Sequence, residues 1–358
     1  MKFLCPALIL FLLHTVFFYA YAQQPNTRLA QISSKDSIPA AISGLPSAQA
    51  SPFKFEHLTA TDGLSHNKVQ CILQDKQGYM WFGTVHGLNR YDGYTFKVFE
   101  NIPGDSLSIA NDNIISLYQD KNDLIWIGTF TVLSCYNPGT ETFRNYNLPA
   151  LHGEIHDFKE DENGMLWIAT GFGLFSFDKK TQHETYHATG DSGRGNIHSI
   201  LKDKNKDIFW LATERGIKRF DKKTGSVKTY PLPFPAFNDI SKEITHNLIE
   251  DKSGNLWIST SEWGVYQFNP KTEKFTAYTV NIPDPSSFKS RVITQIMEDA
   301  DGKIWIGGEG LAFFDPSTKS KSFYTMNTED AEGIPGKIRA LLKDKSGIYW
   351  LCTERGIA

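Results

Sequence analysis

The sequence has little cysteine, no strongly basic stretch and no long apolar run after its first 22 residues. Four cysteines are spread over 358 residues, and the three that follow the N-terminal segment, Cys71, Cys135 and Cys352, lie singly in apolar, strand-like runs. This odd, scattered set shows neither a disulfide framework nor the paired spacing of a zinc site. We expect buried free thiols, although a closed fold could bring Cys71 and Cys352 together as one disulfide.

The charge balance and the missing motifs exclude several classes of function. The chain has 37 Lys and Arg residues and 40 Asp and Glu residues, which gives a formal net charge of -3. It contains no basic stretch that could bind along a phosphate backbone. Nucleic acid is therefore not an expected partner of this segment. The chain also lacks a nucleophile elbow, an HExxH motif and a phosphate-binding loop. No segment combines a 3.6-residue apolar period with helix caps, and we expect neither helices, a cofactor nor a metal.

The N-terminus predicts export. Residues 1–22 hold one early lysine, an apolar run from Phe3 to Tyr19 and the small-residue pattern Ala20-Tyr21-Ala22, which is typical of a cleaved secretory signal. An uncleaved anchor is the alternative, because the run approaches the roughly 18 apolar residues of a membrane span. Residues 23–51 are rich in Gln, Ser, Ala and Pro and predict a disordered linker. Residues 52–358 remain as the folded part of an exported, periplasmic protein.

Tryptophan recurs at intervals of 41 to 48 residues, which suits one propeller blade per repeat. The seven positions are Trp81, Trp126, Trp167, Trp210, Trp257, Trp305 and Trp350. Before each Trp lies an apolar run that ends in an acidic turn, as in LIEDKSGNLW (248–257), and after it come a Thr-x-x-Gly turn and an Asx turn, with some variation between repeats. Each unit therefore reads as strands A, B, C and D joined by tight turns. The sequence predicts an all-β, seven-bladed β-propeller with four-stranded antiparallel blades.

The last repeat stops at Ala358, partway through strand C, so we expect a truncated seventh blade. The segment from Phe53 to Leu58 resembles a D strand and is predicted to close the ring as the outer strand of that blade. The aspartates that recur in the A–B turns are expected to stabilise those turns rather than bind calcium or act as acids. They are Asp75, Asp120, Asp161, Asp251, Asp299 and Asp344.

The B–C and D–A turns of a propeller are expected to lie on one face, around the mouth of the central channel, and there the repeats vary. Rings and charges in these turns suit a sugar, because aromatic faces stack on C–H groups and charged side chains bind hydroxyl groups. Trp263 accompanies a longer turn and either stacks on a ligand or packs on its own blade. Phe130 is interpreted as part of a distorted repeat, since Val132 takes the glycine position. The candidate ligand-binding residues of the B–C turns are His86, Phe172, Glu214, Arg215, Glu262, Trp263 and Arg355.

Three histidines share one position near the start of strand A in the third, fourth and fifth repeats. They are His156, His198 and His246. Because strand A is innermost, we expect them to line the channel together. Equivalent positions on adjacent inner strands usually lie too far apart for one metal ion, so the pattern favours polar lining or hydrogen bonds to a ligand.

The repeats resemble two-component regulator propeller repeats. The residues that carry the resemblance lie at 72–92, 158–178 and 338–357, and the opening FEHLTATDGLSHNKVQCILQDKQGYMWFGTVHGLNRYDG (55–93) is similar to the start of the sensor region of hybrid two-component systems typical of Bacteroidetes. The resemblance implies an exported or periplasmic, non-enzymatic sensor of oligosaccharides released from polysaccharides. Full-length relatives are anchored in the inner membrane and continue into a second propeller, a β-sandwich, a membrane helix, a histidine kinase and output domains. Downstream kinase modules are therefore implied partners, and none of them is in this sequence.

Two other functional classes stay open at this point. A stand-alone exported enzyme, a lyase or a glycosidase, would need a convergent acid and base at the mouth, for which Glu214, Glu262, Glu309 and Glu354 qualify by position only. A protein-interaction scaffold would present a large aromatic patch without a concave mouth. Homodimerisation is likewise left open.

Overall fold

Each repeat of the sequence folds into one antiparallel sheet. A computed structural model describes residues 55–151, 153–190, 195–214, 216–233, 244–261, 263–278, 292–325 and 333–358. Within these ranges the strands form six four-stranded sheets and one three-stranded sheet. In every sheet, strands that follow one another in the chain are also neighbours in the sheet, in the order A, B, C and, where present, D. This confirms the prediction of a seven-bladed propeller with a truncated last blade.

The strands follow in chain order, four for each of the first six blades and three for the last, after a short 3-10 turn at Ala60–Asp62. They are β1 Val69–Gln74, β2 Met80–Thr84, β3 Leu88–Tyr91, β4 Phe96–Phe99; β5 Ser116–Gln119, β6 Ile125–Gly128, β7 Leu133–Asn137, β8 Thr142–Tyr146; β9 Ile155–Glu160, β10 Leu166–Thr170, β11 Gly173–Asp178, β12 His183–His187; β13 Ile197–Lys202, β14 Ile208–Thr213, β15 Gly216–Asp221, β16 Val227–Pro231; β17 Thr245–Glu250, β18 Leu256–Thr260, β19 Val265–Asn269, β20 Lys274–Tyr278; β21 Ile293–Glu298, β22 Ile304–Gly308, β23 Gly310–Phe314, β24 Lys321–Thr325; β25 Ile338–Lys343, β26 Tyr349–Thr353 and β27 Gly356–Ile357.

The core lies between the blades. Seven apolar clusters are found, one at each contact between neighbouring sheets. Each B strand through the sixth blade is fully buried. Its tryptophan and the small residue two positions later face the next blade, while the residue between them faces the preceding blade, as Phe82 faces Trp350. At Gly128 an added Cβ would lie 2.7 Å from Cγ2 and 2.8 Å from the carbonyl oxygen of Ile155, so close approach of the next blade requires glycine there.

Blade 7 meets blade 1 through three kinds of contact. Inner strand β25 packs against β1. Leu58 and Ile357 exchange backbone hydrogen bonds of 3.0 and 2.9 Å, and Lys345 Nζ donates to the carbonyl of Asp75 at 2.8 Å. The predicted closing strand is thus present as a single bridge at Leu58 rather than as a regular outer strand, and Phe53 lies outside the described residues.

The cysteines of the propeller are free thiols. Cys71, Cys135 and Cys352 form no disulfide, and burial raises the pKa of the first two to about 12. The pKa of Cys352 is raised by burial as well, and also by the nearby Cys71. The expectation of free thiols is therefore confirmed, and these groups are unreactive at neutral pH.

The predicted signal (1–22) and linker (23–51) lie outside the described residues, so they remain sequence predictions. Within the described ranges, no helix is both long and apolar enough to cross a membrane.

Candidate functional site: the mouth and channel of the propeller

The aspartate of each A–B turn is bonded to the tryptophan of the same blade. In all seven blades the carboxylate Oδ2 accepts a hydrogen bond from the indole Nε1, over distances from 2.6 to 3.1 Å. The fourth blade keeps the bond between Asp203 and Trp210 although one extra residue separates them. Each of these carboxylates therefore stabilises its own blade, and a ligand site has to be sought elsewhere.

The same carboxylates make stability dependent on pH. Burial alone would raise the pKa of Asp120, but hydrogen bonds from Lys179 and from the Trp126 indole hold it below its usual value. Asp161 and Asp251 are shifted in the same direction. A carboxyl with a lowered folded-state pKa contributes stability above its unfolded pKa of about 4 and loses it as the pH falls through the folded value.

We expect the urea midpoint of unfolding, followed by tryptophan fluorescence, to fall steeply as the pH drops below about 4. Lys179→Met removes a cation that Asp120 and Glu160 share at 2.8 and 2.6 Å, so it should move the acid transition to higher pH. Lys180→Met, on the exposed neighbour, is the control. Identical acid transitions in wild type and Lys179→Met would show that this buried cation does not set the pKa of Asp120.

The B–C turns contact the residues that precede strand A, which places both at the mouth of the channel. Val85 N–H donates to Lys68 O at 3.2 Å, and the corresponding bond in blade 3 joins Gly171 to Glu154 at 3.0 Å. Ser261 and Glu354 repeat the contact in blades 5 and 7. The prediction that these turns share one face with the start of strand A holds for these blades.

The turn residues proposed from the sequence differ in exposure. Side chains of His86, Glu214 and Arg355 are exposed, and His86 Nε2 lies 4.0 Å from Glu100 Oε1. Trp263 is half-buried and packs against the apolar cluster between blades 4 and 5, which includes Trp210. Arg215 and Glu262, also proposed from the sequence, lie outside the described residues.

Two phenylalanines of neighbouring blades are exposed at the mouth. Phe172 in blade 3 is 42% exposed and lies against Gly153, where an added Cβ would come within 2.6 Å of the ring. Phe130 in blade 2 is 50% exposed. Its turn is closed by Thr129 Oγ1, which donates to Val132 O at 2.8 Å as the equivalent threonines do elsewhere. Strand β6 nevertheless ends at Gly128, paired with Leu133, so this turn differs from those of blades 3, 4 and 7 while it exposes Phe130.

The three histidines lie side by side on the inner strands. They are the second residues of β9, β13 and β17. The ring centroids of His156 and His198 are 4.9 Å apart, and those of His198 and His246 are 6.0 Å apart. The structure therefore brings together side chains that are separated by more than 40 residues in the sequence.

These imidazoles are neutral at physiological pH. Burial lowers the pKa of His156, while the nearby Glu154 opposes the shift. Burial and the two neighbouring rings lower the pKa of His198 to about 3. The pKa of His246 falls to about 4 through burial and the positive charges of Lys337 and Arg339. Each neutral ring offers one donor and one acceptor nitrogen.

The histidines line a polar cavity of about 400 Å³ in the channel. Gln70, Asn247, Gln295 and Lys159 also contribute to its wall. Lys159 is paired with Asp157 at 2.9 Å, so its charge is neutralised locally. Within the described ranges, no group of three or more His, Cys, Asp or Glu side chains is arranged to hold a metal ion. The cavity can therefore offer hydrogen bonds to an uncharged polar ligand.

Sequence reasoning named Glu354 and Arg355 in blade 7 but missed Lys337 and Arg339 at the same mouth. Arg339 takes the strand position that the histidines occupy in blades 3 to 5, and its Nε donates to Glu354 Oε1 at 3.1 Å. This bond lowers the pKa of Glu354, and burial together with Arg339 lowers the pKa of Lys337. A comparison of the second residue of strand A across all seven repeats would have revealed Arg339.

The family model described as two component regulator propeller matches residues 63–86, 108–131, 239–262 and 287–310. Histidine kinase P4 of Formosa agariphila is 52% identical over 63 residues, which are 18% of this chain and 5% of that protein. The fold is similar to that of the extracellular domain of a protein assigned as a hybrid two-component system of B. thetaiotaomicron, at 24% identity and a TM-score of 0.73, over 86% of this chain and 41% of that one.

An enzyme shares the fold more distantly. Virginiamycin B lyase from Staphylococcus aureus matches 81% of this chain and 93% of its own length at 13% identity, with a TM-score of 0.63. The chain spans less than half of the length of the kinase and of the extracellular domain that it matches. The seven blades show that this chain is a β-propeller, and four segments of it match the two-component regulator propeller model.

Proposed function

We propose that this propeller is the extracytoplasmic ligand-sensing part of a hybrid two-component signalling system and that its ligand is an oligosaccharide. The regulator propeller repeats and the similarity to a histidine kinase and to an extracellular sensor domain support the sensor role. The observation that carries the ligand proposal is the juxtaposition of exposed rings with a hydrogen-bonding channel at one mouth, in which the charges of Lys159 and Asp157 are paired with each other. In full-length relatives, downstream kinase modules receive the signal.

The chemistry of the mouth suits a sugar better than an apolar ligand. Phe130 and Phe172 offer flat faces on which the C–H groups of a pyranose ring can stack. His156 and its neighbours offer donors and acceptors in equal number, which matches hydroxyl groups that both donate and accept. Arg355, exposed in its turn, would contact a carboxylate or sulfate on an anionic sugar, with Arg215 as a second candidate.

The enzyme alternative has less support at this mouth. Glu354 lies on the correct face, but its hydrogen bond from Arg339 keeps its pKa low, whereas a general acid needs a raised pKa. Similarity to the lyase is a likeness of fold at 13% identity, and function depends on the site rather than on the fold. Release of product from a bound glycan without saturable binding would support the enzyme.

Phe172→Ala should weaken binding of a neutral oligosaccharide by roughly 1–2 kcal/mol, since it removes an exposed aromatic face from the mouth. Calorimetry with neutral glucose, mannose, galactose and xylose oligosaccharides measures the effect. Tyr94→Ala is the matched control, because Tyr94 is 91% exposed but lies in a C–D turn on the other face. Unchanged affinity in Phe172→Ala, with normal folding, would contradict stacking at this position.

Trp263 remains a second stacking candidate. Because part of the indole packs against the Trp210 cluster, Trp263→Ala is informative only together with a melting curve. A loss of affinity without a loss of stability would assign the exposed part of this ring to the ligand.

A further inference from the structure

His198 occupies the centre of the row of imidazoles and has unused hydrogen-bonding capacity. Its Nε2 is buried and has no hydrogen-bond partner in the part of the chain that the structure describes. By contrast, His246 Nε2 lies 3.2 Å from Ser261 Oγ, and His156 Nδ1 lies 3.9 Å from Glu154 Oε2. Buried polar atoms are nearly always paired in folded proteins, so an orphaned nitrogen in a cavity wall indicates a missing partner.

The other residues that line the cavity indicate what kind of partner would fit His198 Nε2. Ser199 Oγ donates to Asp157 Oδ2 at 3.1 Å, and Gln70 Nε2 donates to Asn113 Oδ1 at 2.7 Å, so part of the polar lining is already held between blades. The Asp157 carboxylate also binds Lys159, which leaves the wall without a dominant charge. A neutral imidazole nitrogen carries no positive charge for an anion, and in either tautomer it can pair with a hydroxyl group, which both donates and accepts.

The size of the cavity limits how much of a ligand can enter. At about 400 Å³ it lies at the small end of ligand pockets, which range from about 300 to 1,000 Å³. The inner strands surround it, since β1, β5, β9, β13, β17, β21 and β25 contact one another in a ring. A pocket of this shape admits the end of a chain more readily than its middle.

We propose that the channel is a subsite for the uncharged terminal residue of an oligosaccharide, one hydroxyl group of which donates to or accepts from His198 Nε2. This subsite rests on the proposed function, because it extends the ligand from the mouth into the channel. The aromatic rings at the mouth would hold the following residues of the chain. The propeller would then be specific for the terminal residue of the chain, and an oligosaccharide whose terminal hydroxyl groups are blocked would bind more weakly.

His198→Phe keeps a flat ring of similar size but removes both nitrogens. We expect it to weaken binding of neutral oligosaccharides about three- to tenfold, the loss typical of one neutral hydrogen bond. His198→Gln, which keeps a donor and an acceptor, should restore part of the affinity. His183→Phe on the exposed outer strand β12 is the matched control and should bind as wild type. Melting curves establish that each variant is folded.

A second measurement does not depend on mutation. Methylation of the hydroxyl groups on the terminal residue of the same oligosaccharides should abolish the contribution of the channel to the binding affinity. The imidazole ¹⁵N resonances of His198 should shift when unmethylated oligosaccharides are added but not when methylated ones are added. Equal affinities for both forms, together with wild-type binding by His198→Phe and loss of binding by Phe172→Ala, would overturn the subsite and leave the proposed function intact. No binding of any probe by the wild type would overturn both.

Discussion

Replacing Asp251 with alanine is expected to lower the free energy of unfolding by about 3 kcal/mol. Its Oδ1 accepts hydrogen bonds from the backbone amides of Ser253 and Asn255 at 2.9 and 2.8 Å, and its Oδ2 accepts from Trp257 Nε1 at 2.8 Å. Alanine would leave the buried indole N–H and the turn amides without their acceptor. Chemical denaturation with urea measures the loss.

Two further variants separate the causes of this effect. Asp251→Asn keeps one acceptor oxygen, which can serve the turn amides or the indole but not both, so we expect a loss between those of alanine and wild type. Asp301→Ala changes an exposed aspartate in the corresponding turn of blade 6 and should have little effect. Equal, small losses in all three variants would show that the bond between aspartate and tryptophan does not stabilise the blade.

Gly216→Ala is expected to destabilise the protein by about 2 to 4 kcal/mol. Gly216 has a φ of +143°, and an added Cβ would lie 2.4 Å from Tyr230 O and 3.0 Å from Leu232 N. Tyr230 O is a backbone atom of outer strand β16, and Leu232 N directly follows that strand. The clash can therefore be relieved only by moving the strand. Thermal and urea unfolding should both show the loss.

Gly225→Ala in the same blade is the matched control. Gly225 also has a positive φ, of +70°, but nothing lies within 4 Å of the Cβ that would be added. The equivalent turn positions of other blades hold Glu141, Gln182, Glu273 and Lys319 at φ of 54° to 59°, so a side chain is tolerated there. We expect a cost of at most about 1 kcal/mol. A similar cost at both glycines would mean that backbone conformation, and not the clash, governs Gly216.

The sequence predicted which turns form the mouth of the channel but not which of their side chains are exposed there. The exposed candidates His86, Glu214 and Arg355 were placed correctly on the B–C turns, because turn position follows from the strand pattern. The half-buried state of Trp263 was left undecided, since a tryptophan in a turn can point to solvent or to the neighbouring blade. Phe130 was discounted because a valine replaced the expected glycine, although the threonine of that turn closes it without glycine.

The sequence by itself determined the number of blades, the four-stranded blade pattern and the role of the recurring aspartates. These features are local, since strands, tight turns and the spacing of Asp and Trp are specified within about 25 residues of chain. Tertiary structure alone decided which residues of different blades meet. The contacts between His156, His198 and His246 and the closure at Leu58 and Lys345 depend on how closely the sheets pack around the channel. That distance is set by side-chain volumes between blades, such as the glycine at position 128, and no single repeat encodes it.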